Sequence, residues 1–168
     1  MKPIVSIIMG STSDLPILKK AADFLESMQI PFEMNALSAH RTPREVEKFA
    51  TAAQGRGIKV IIAAAGMSAA LPGVIAALTS LPVIGVPINS SLDGMDALLS
   101  IAQMPPGIPV ASTGINAGLN AAVLATRILA LSDNEIQKKI ENYASGLSAK
   151  IVQANNDLKE IKYNYKTN

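Results

Sequence analysis

Short apolar segments alternate with amphipathic segments along the whole chain. The apolar segments are typical of strands and lie at residues 4–9, 32–37, 60–65, 83–86 and 108–111. Between and after them, apolar residues at helical spacing predict helices at residues 15–25, 46–53, 72–78, 95–102, 117–131 and, as a charged amphipathic helix, about 133–162. This alternation predicts one α/β domain over residues 1–168, with a central parallel sheet and helices on both faces.

Charged residues are nearly missing from the middle of the chain. Between Val60 and Thr126 the only charged side chains are those of Asp93 and Asp96. A helix on the outside of a monomer normally carries charges every turn or so, and we therefore expect the helices of this region to bury against other subunits. The alternative is a core-rich domain whose surface consists of Ala, Ser and Asn.

The composition excludes several classes of site. The chain has no cysteine, which rules out disulfides, thiolate metal sites and cysteine nucleophiles, and one histidine cannot form a multi-histidine zinc site. The 15 basic and 13 acidic residues are nearly balanced, and their mixture near the C-terminus indicates a solvated helical face rather than a nucleic-acid surface. A strand-like segment follows the first residues directly and prolines interrupt the apolar middle, so we expect a cytoplasmic protein without a membrane span.

Ligands of a parallel sheet bind at the carboxyl ends of its strands, and polar residues follow the first strand there. Residues 10–14, GSTSD, combine hydroxyl groups with the start of a helix, a pattern typical of a phosphate site. Ser13 or Asp14 could instead simply cap that helix. Because a carboxylate repels phosphate, ribose hydroxyls are the more natural target of Asp14.

The second loop ends where the next helix is predicted to begin. Thr42 and Glu45 have the spacing of a capping box, and Pro43 occupies the expected first helical position. Arg41 suits bidentate recognition of phosphate or carboxylate, and His40 is the only side chain whose unperturbed pKa lies near neutral pH. The loop before this helix therefore holds three candidate functional residues: Ser38, His40 and Arg41.

The third loop, residues 66–73, consists mostly of small side chains. They would let a ligand lie against the backbone, although close packing of a helix on the sheet would need them equally. The polar turns at residues 89–94 and 103–107 could serve as lid or subunit-contact loops. The chain lacks the dinucleotide fingerprint, the P-loop and the nucleophile elbow. One His, one Arg, one Asp and several Ser favour proton transfer on a small phosphorylated, ribose-bearing molecule.

The loops resemble those of the class I N5-carboxyaminoimidazole ribonucleotide mutase family (PurE). The matching segments, in order along roughly residues 4–130, are GSTSD at 10–14, SAHRTP at 38–43, LPG at 71–73, VIGVP at 83–87 and QMP at 103–105. The resemblance implies a flavodoxin-like three-layer sandwich that assembles as a homo-octamer with sites near subunit junctions. It also implies a small ribonucleotide substrate and a reaction that needs neither metal nor cofactor.

The resemblance further assigns a role to each loop residue. Ser11, Ser13 and Arg41 would hold the substrate's phosphate, and Asp14 would hold its ribose. The base and the carboxylate would be lined by Ser38, Gly66, Met67 and Leu71. The substrate carries a carboxylate on its exocyclic nitrogen and the product carries it on ring C4. His40 would protonate the departing nitrogen and later take a proton from C4, so that one imidazole serves both steps.

Two positions depart from the family pattern, so the resemblance does not fully assign the contacts of the base pocket. Ala70 stands where the family commonly has His, and Asn116 stands where a Gly-Lys-Ala-Gly segment has Lys. A sister class carboxylates aminoimidazole ribonucleotide directly with free CO2 and typically has Lys in place of Arg41, so Arg41 favours the mutase. The other alternative is a non-catalytic module that binds nucleotide phosphates.

Overall fold

The computed structural model describes all 168 residues and contains one sheet flanked by helices. The strands are β1 (Val5–Met9), β2 (Phe32–Ala36), β3 (Val60–Gly66), β4 (Val83–Ile88) and β5 (Ala111–Ser112). The helices are α1 (Leu15–Ser27), α2 (Pro43–Ala53), α3 (Leu71–Leu78), α4 (Met95–Ala102), α5 (Gly118–Ala130) and α6 (Asn134–Glu160). All strand pairs are parallel in the order β2-β1-β3-β4-β5, which confirms the predicted flavodoxin-like α/β fold.

The two faces of the sheet carry separate hydrophobic cores. One core joins the sheet to α1, α5 and the start of α6, and the other joins it to α2, α3 and α4. Strands β3 and β4 are buried almost throughout, as continuous apolar runs predict for central parallel strands. Because β1 leads to a helix on one face and β3 to a helix on the other, their following loops diverge and open a crevice between them.

The fifth strand differs from its prediction. The apolar segment at 108–111 becomes a strand only at Ala111–Ser112, where it pairs with Ile84 and Gly85 of β4. Pro109 has no N–H to donate to a ladder, so the segment before Ala111 cannot pair as a regular strand. Strand β4 continues beyond the predicted end and reaches Ile88.

Helices α1 and α5 meet at a glycine. A Cβ atom on Gly118 would lie 2.4 Å from the carbonyl oxygen of Ile17, so only glycine lets the start of α5 come this close to the first turns of α1. Helix α6 packs on the domain as far as Tyr143, whose ring stands edge-on to Phe24 with centroids 4.9 Å apart. Neither α6 nor any other helix combines the length and the apolar character that a membrane crossing requires.

Candidate active site

The loops that follow β1, β2 and β3 surround one cavity of about 500 Å³. Every residue predicted as functional lines this cavity: Ser11, Ser13, Asp14, Ser38, His40, Arg41, Gly66, Met67 and Leu71. The structure therefore brings together three loops that are far apart in the sequence. Ser90 also lines the cavity; it belongs to the polar turn at residues 89–94, for which the sequence suggested a lid or subunit contact, and was not among the predicted site residues. It could have been found by the same rule, because it is a polar residue just after a buried apolar run.

Arg41 is held in place by its neighbours but keeps its charge unpaired. Its Nη2 donates to the carbonyl oxygen of Gly10 at 2.9 Å, and its Nε donates to Ser38 Oγ at 3.3 Å. The backbone N–H of Arg41 donates to the same Ser38 hydroxyl at 3.2 Å. No carboxylate forms an ion pair with the guanidinium. A positioned cation without a protein counter-ion favours the binding of an anion in this cavity.

The loop after β1 forms a short 3-10 turn, Thr12–Asp14, before α1. Ser11 caps this turn, since its Oγ accepts from the backbone N–H of Ser13 at 3.3 Å. Neither of the two capping residues considered from the sequence caps α1, because Asp14 at its N-cap makes no side-chain capping bond and Ser13 Oγ donates to Asp14 Oδ1 at 3.1 Å. The loop therefore presents two hydroxyl groups and one carboxylate to the cavity.

Asp14 is a buried carboxylate without a cationic partner. Its residue is 7% exposed, and this burial raises the pKa of the carboxyl group. Hydrogen bonds from the Ser13 hydroxyl and the Ser11 backbone oppose the shift in pKa without cancelling it. The folded chain thus keeps an unfavourable charge at a position where a carboxylate can accept hydrogen bonds from a ligand, which indicates a binding role rather than a stabilising one.

Replacing Asp14 with Asn is expected to raise the melting temperature by a few degrees at pH 7 and to weaken ligand binding by about tenfold. Burial raises the pKa of the Asp14 carboxyl in the folded protein, so folding favours its protonated form. The resulting contribution to the free energy of unfolding is fully present below the ordinary carboxyl range and is lost as the pH rises through the folded pKa. The stability gap between variant and wild type should therefore close on acidification to about pH 3. Thermal melts across pH 3–8 and ligand titrations check both effects, and a variant less stable than wild type at pH 7 would contradict this account.

Hydrogen bonds between the Thr42 side chain and the Ser38 backbone close the loop after β2. The predicted capping box of Thr42 and Glu45 is wrong. The Thr42 hydroxyl accepts from the Ser38 backbone N–H at 2.9 Å and donates to the Ser38 carbonyl at 3.1 Å, so it is not free to cap α2. Helix α2 nevertheless begins at Pro43, as predicted. The turn leaves His40 exposed on the cavity wall without a hydrogen bond to any protein group. An imidazole in this setting is free to exchange protons with a ligand.

The loop after β3 is compact and conformationally strained. Met67 and Ala69 adopt left-handed backbone conformations with φ of 55° and 33°, although neither is glycine. The Ala69 N–H closes the turn on the Gly66 carbonyl at 3.0 Å, and α3 follows from the buried Leu71. The Met67 residue is 60% exposed. The loop therefore offers backbone, apolar surface and the Ser68 hydroxyl to a ligand, but no imidazole or carboxylate that could act as a general acid or base.

Known proteins match most of this chain in sequence and in fold. The AIR carboxylase family model matches residues 4–150. The N5-carboxyaminoimidazole ribonucleotide mutase of Pyrococcus horikoshii is 52% identical over 95% of this chain and 91% of that protein. The phosphoribosylaminoimidazole carboxylase of Candida glabrata is 48% identical over 96% of this chain, which spans only 29% of that larger protein. The crystal structure of Treponema denticola PurE superposes with a TM-score of 0.85 at 32% identity, covering 94% of this chain and 99% of that one.

Proposed function

Because this chain belongs to the AIR carboxylase family, we propose that it is an isomerase of purine biosynthesis that converts N5-carboxyaminoimidazole ribonucleotide into 4-carboxy-5-aminoimidazole ribonucleotide. The observation that carries the proposal is the single cavity in which an unpaired arginine, a buried aspartate and the chain's only imidazole lie together. Relatives of similar length that carry the mutase name support it. The fungal carboxylase is a much longer protein, of which this chain matches one part.

The two ends of the cavity would bind the two ends of the ribonucleotide. Arg41, together with the hydroxyls of Ser11 and Ser13 beside the start of α1, would bind the phosphate. Asp14 would accept hydrogen bonds from the ribose hydroxyls. The imidazole ring and its carboxylate would contact the remaining predicted residues: Ser38, Gly66, Met67 and Leu71.

His40 would move one proton out and back during the reaction. Cleavage of the N–carboxylate bond releases CO2, and the electron pair left on the exocyclic nitrogen takes a proton from the imidazolium. Ring C4 then attacks CO2, which makes the C–C bond, and the imidazole removes the proton that C4 carried. The two transfers cancel, so the enzyme returns to its starting protonation state. Holding CO2 beside the electron-rich ring in the cavity replaces a bimolecular encounter with a local one.

A two-substrate assay tests this function. Purified protein is expected to convert the N-carboxylated compound without added bicarbonate and to be slow with aminoimidazole ribonucleotide at low bicarbonate. Product formation from aminoimidazole ribonucleotide that requires high bicarbonate would instead identify a direct carboxylase, the activity that the fungal relative's name describes. Tight ligand binding without turnover of either compound would identify a non-catalytic binding module. The location in the cytoplasm stays a prediction.

We also propose that the protein is a homo-oligomer, an octamer as the family resemblance implies, and that α6 contributes to the interface. Every residue of α6 from 144 to 160 is exposed. These residues nevertheless include an apolar stripe at heptad spacing, formed by Leu147, Ile151, Ala154 and Leu158. Most of the stability of a helix in a protein comes from packing of its apolar face, so the stripe needs a surface to cover it.

A second copy of the chain supplies such a surface. A groove of about 350 Å³ between α5 and α6 reaches the N-terminal end of the same stripe, at Leu147. It is lined by Asn120, Val123, Leu124, Arg127, Tyr143, Ala144 and Leu147. Because groove and stripe meet at Leu147, two copies related by a two-fold axis could each place a stripe against the other's groove. The nearly uncharged helices also expose Val74, Leu99 and Leu119, which gives further apolar surface for copies of the same chain.

Replacing Ile151 with Lys is expected to reduce the assembly to species of at most half its mass at micromolar concentration. The change removes an apolar contact of about 1.5–3 kcal/mol per interface and adds a charge that would have to be buried. Val152→Lys is the matched control, because Val152 is similarly exposed but lies off the stripe. Light scattering of both variants gives the result. A monomeric wild type, or equal dissociation of the two variants, would contradict the proposed interface.

A further inference from the structure

Ser90 lies on the cavity wall, just after the end of β4 and beside the loop that follows β3. Its residue is exposed, and its hydroxyl has no hydrogen-bond partner within the chain. A Cβ atom on Gly66 would lie 2.6 Å from Ser90 Oγ, so the hydroxyl sits where a side chain at position 66 would be. Glycine at this position is therefore what lets the Ser90 hydroxyl reach the third loop.

The order of the strands gives this hydroxyl a place along the substrate. Arg41 follows β2 and Ser90 follows β4, with β1 and β3 between them. A ribonucleotide with its phosphate at Arg41 would extend across the crevice, and its base would approach the loop after β3 and then Ser90. A serine hydroxyl can donate to a carboxylate oxygen and accept from an amino N–H, which are the two exocyclic groups at the base end of this substrate.

Asn116 secures the backbone next to Ser90. Its Oδ1 accepts from the Asn89 N–H at 3.0 Å, and its own backbone N–H donates to the Pro87 carbonyl at 2.8 Å. Asn116 has a φ of 56°, a left-handed conformation that asparagine adopts more readily than most residues. Asn116, in the loop that follows β5, thus holds the loop after β4 through both its side chain and its backbone.

We propose, resting on the proposed function, that Ser90 is a further substrate-contacting residue at the carboxylate end of the cavity and that Asn116 positions it. Ser90 would hydrogen-bond the carboxylate or the exocyclic amine of the ligand. Asn116 would act only through Ser90, by holding Asn89. The pair would supply polar contacts at an end of the cavity where the loop after β3 contributes no polar side chain other than that of Ser68.

Calorimetric titration of the C4-carboxylated ribonucleotide and of ribose 5-phosphate tests the proposal, since ribose 5-phosphate lacks the base and its carboxylate. Ser90→Ala is expected to weaken binding of the carboxylated compound by about tenfold or more, the usual cost of losing a hydrogen bond to a charged group. Its affinity for ribose 5-phosphate should stay unchanged. Ser80→Ala removes a hydroxyl at the opposite end of β4 and should leave both affinities unchanged.

Asn116→Gly keeps the left-handed backbone accessible but removes the amide, and it should weaken binding of the carboxylated compound by about threefold to tenfold. In the Ser90→Ala background the same change should cost nothing further, because its effect passes through Ser90. Equal affinities of wild type and Ser90→Ala, equal losses for both ligands, or additive effects of the two substitutions would each overturn the proposal. Turnover by the wild-type protein tests the proposed function separately, because the affinities for the two ligands can be measured whether or not the protein catalyses the reaction.

Discussion

His40→Asn is expected to lower kcat by about 100- to 10,000-fold, the usual contribution of a positioned general acid and base. The cavity contains one imidazole, and both proton transfers of the proposed reaction depend on it. Asn keeps a similar size and a hydrogen-bond donor but cannot exchange protons near neutral pH. Affinity for the product should therefore stay within a few-fold of wild type.

Steady-state kinetics and calorimetry on the same preparation separate the two effects. Because His40 is exposed and bonds to no protein group, the variant is expected to fold and to melt like wild type. The conclusion would be wrong if His40→Asn turned over at a rate near that of wild type. It would also be wrong if turnover fell only in proportion to a loss of ligand affinity, because His40 would then act in binding alone.

Arg41→Ala is expected to weaken binding of the substrate and of ribose 5-phosphate by about 100-fold, since it removes the only arginine or lysine side chain that lines the cavity. Arg41→Lys keeps the charge but loses the bonds that orient the guanidinium, from Nε to Ser38 and from Nη2 to Gly10. We expect the lysine variant to lie between wild type and the alanine variant, because an ammonium group cannot reproduce a bidentate contact.

Arg44→Ala is the matched control for Arg41. Arg44 lies three residues further along the chain, is exposed at the start of α2 and does not line the cavity. Binding isotherms for ribose 5-phosphate should therefore distinguish a specific phosphate contact from a general change in charge. Equal losses for Arg41→Ala and Arg44→Ala would show that the phosphate responds only to the overall positive potential of this edge.

The fold and most of the cavity could be predicted because their signals are local. The bounds of α4 match the prediction, since Met95–Ala102 has a helical apolar pattern between a glycine and a proline-rich turn. The cavity loops follow from the rule that ligands meet the carboxyl ends of parallel strands, which needs only the strand ends. The same rule applied to β4 leads to Ser90 as well.

Other features depend on contacts that a single sequence does not reveal. Thr42 has the spacing of a capping box, but its hydroxyl bonds back to Ser38 once the chain turns after β2. The apolar periodicity of α6 continues unchanged through Tyr143, although the helix packs on its own domain before that residue and has no partner after it. The burial of Asp14 likewise results from packing between the first loop and the body of the domain.

Transfer of an isotopic label tests most directly that the carboxyl group moves within one cavity. The N-carboxylated ribonucleotide would carry 13C in its carboxylate, and the reaction would run in excess unlabelled bicarbonate. If CO2 stays beside the ring until C4 attacks it, the C4-carboxylated product will retain the label. A product whose carboxylate carries carbon from the bicarbonate pool would contradict the account, because CO2 would then exchange with solvent before the new bond forms.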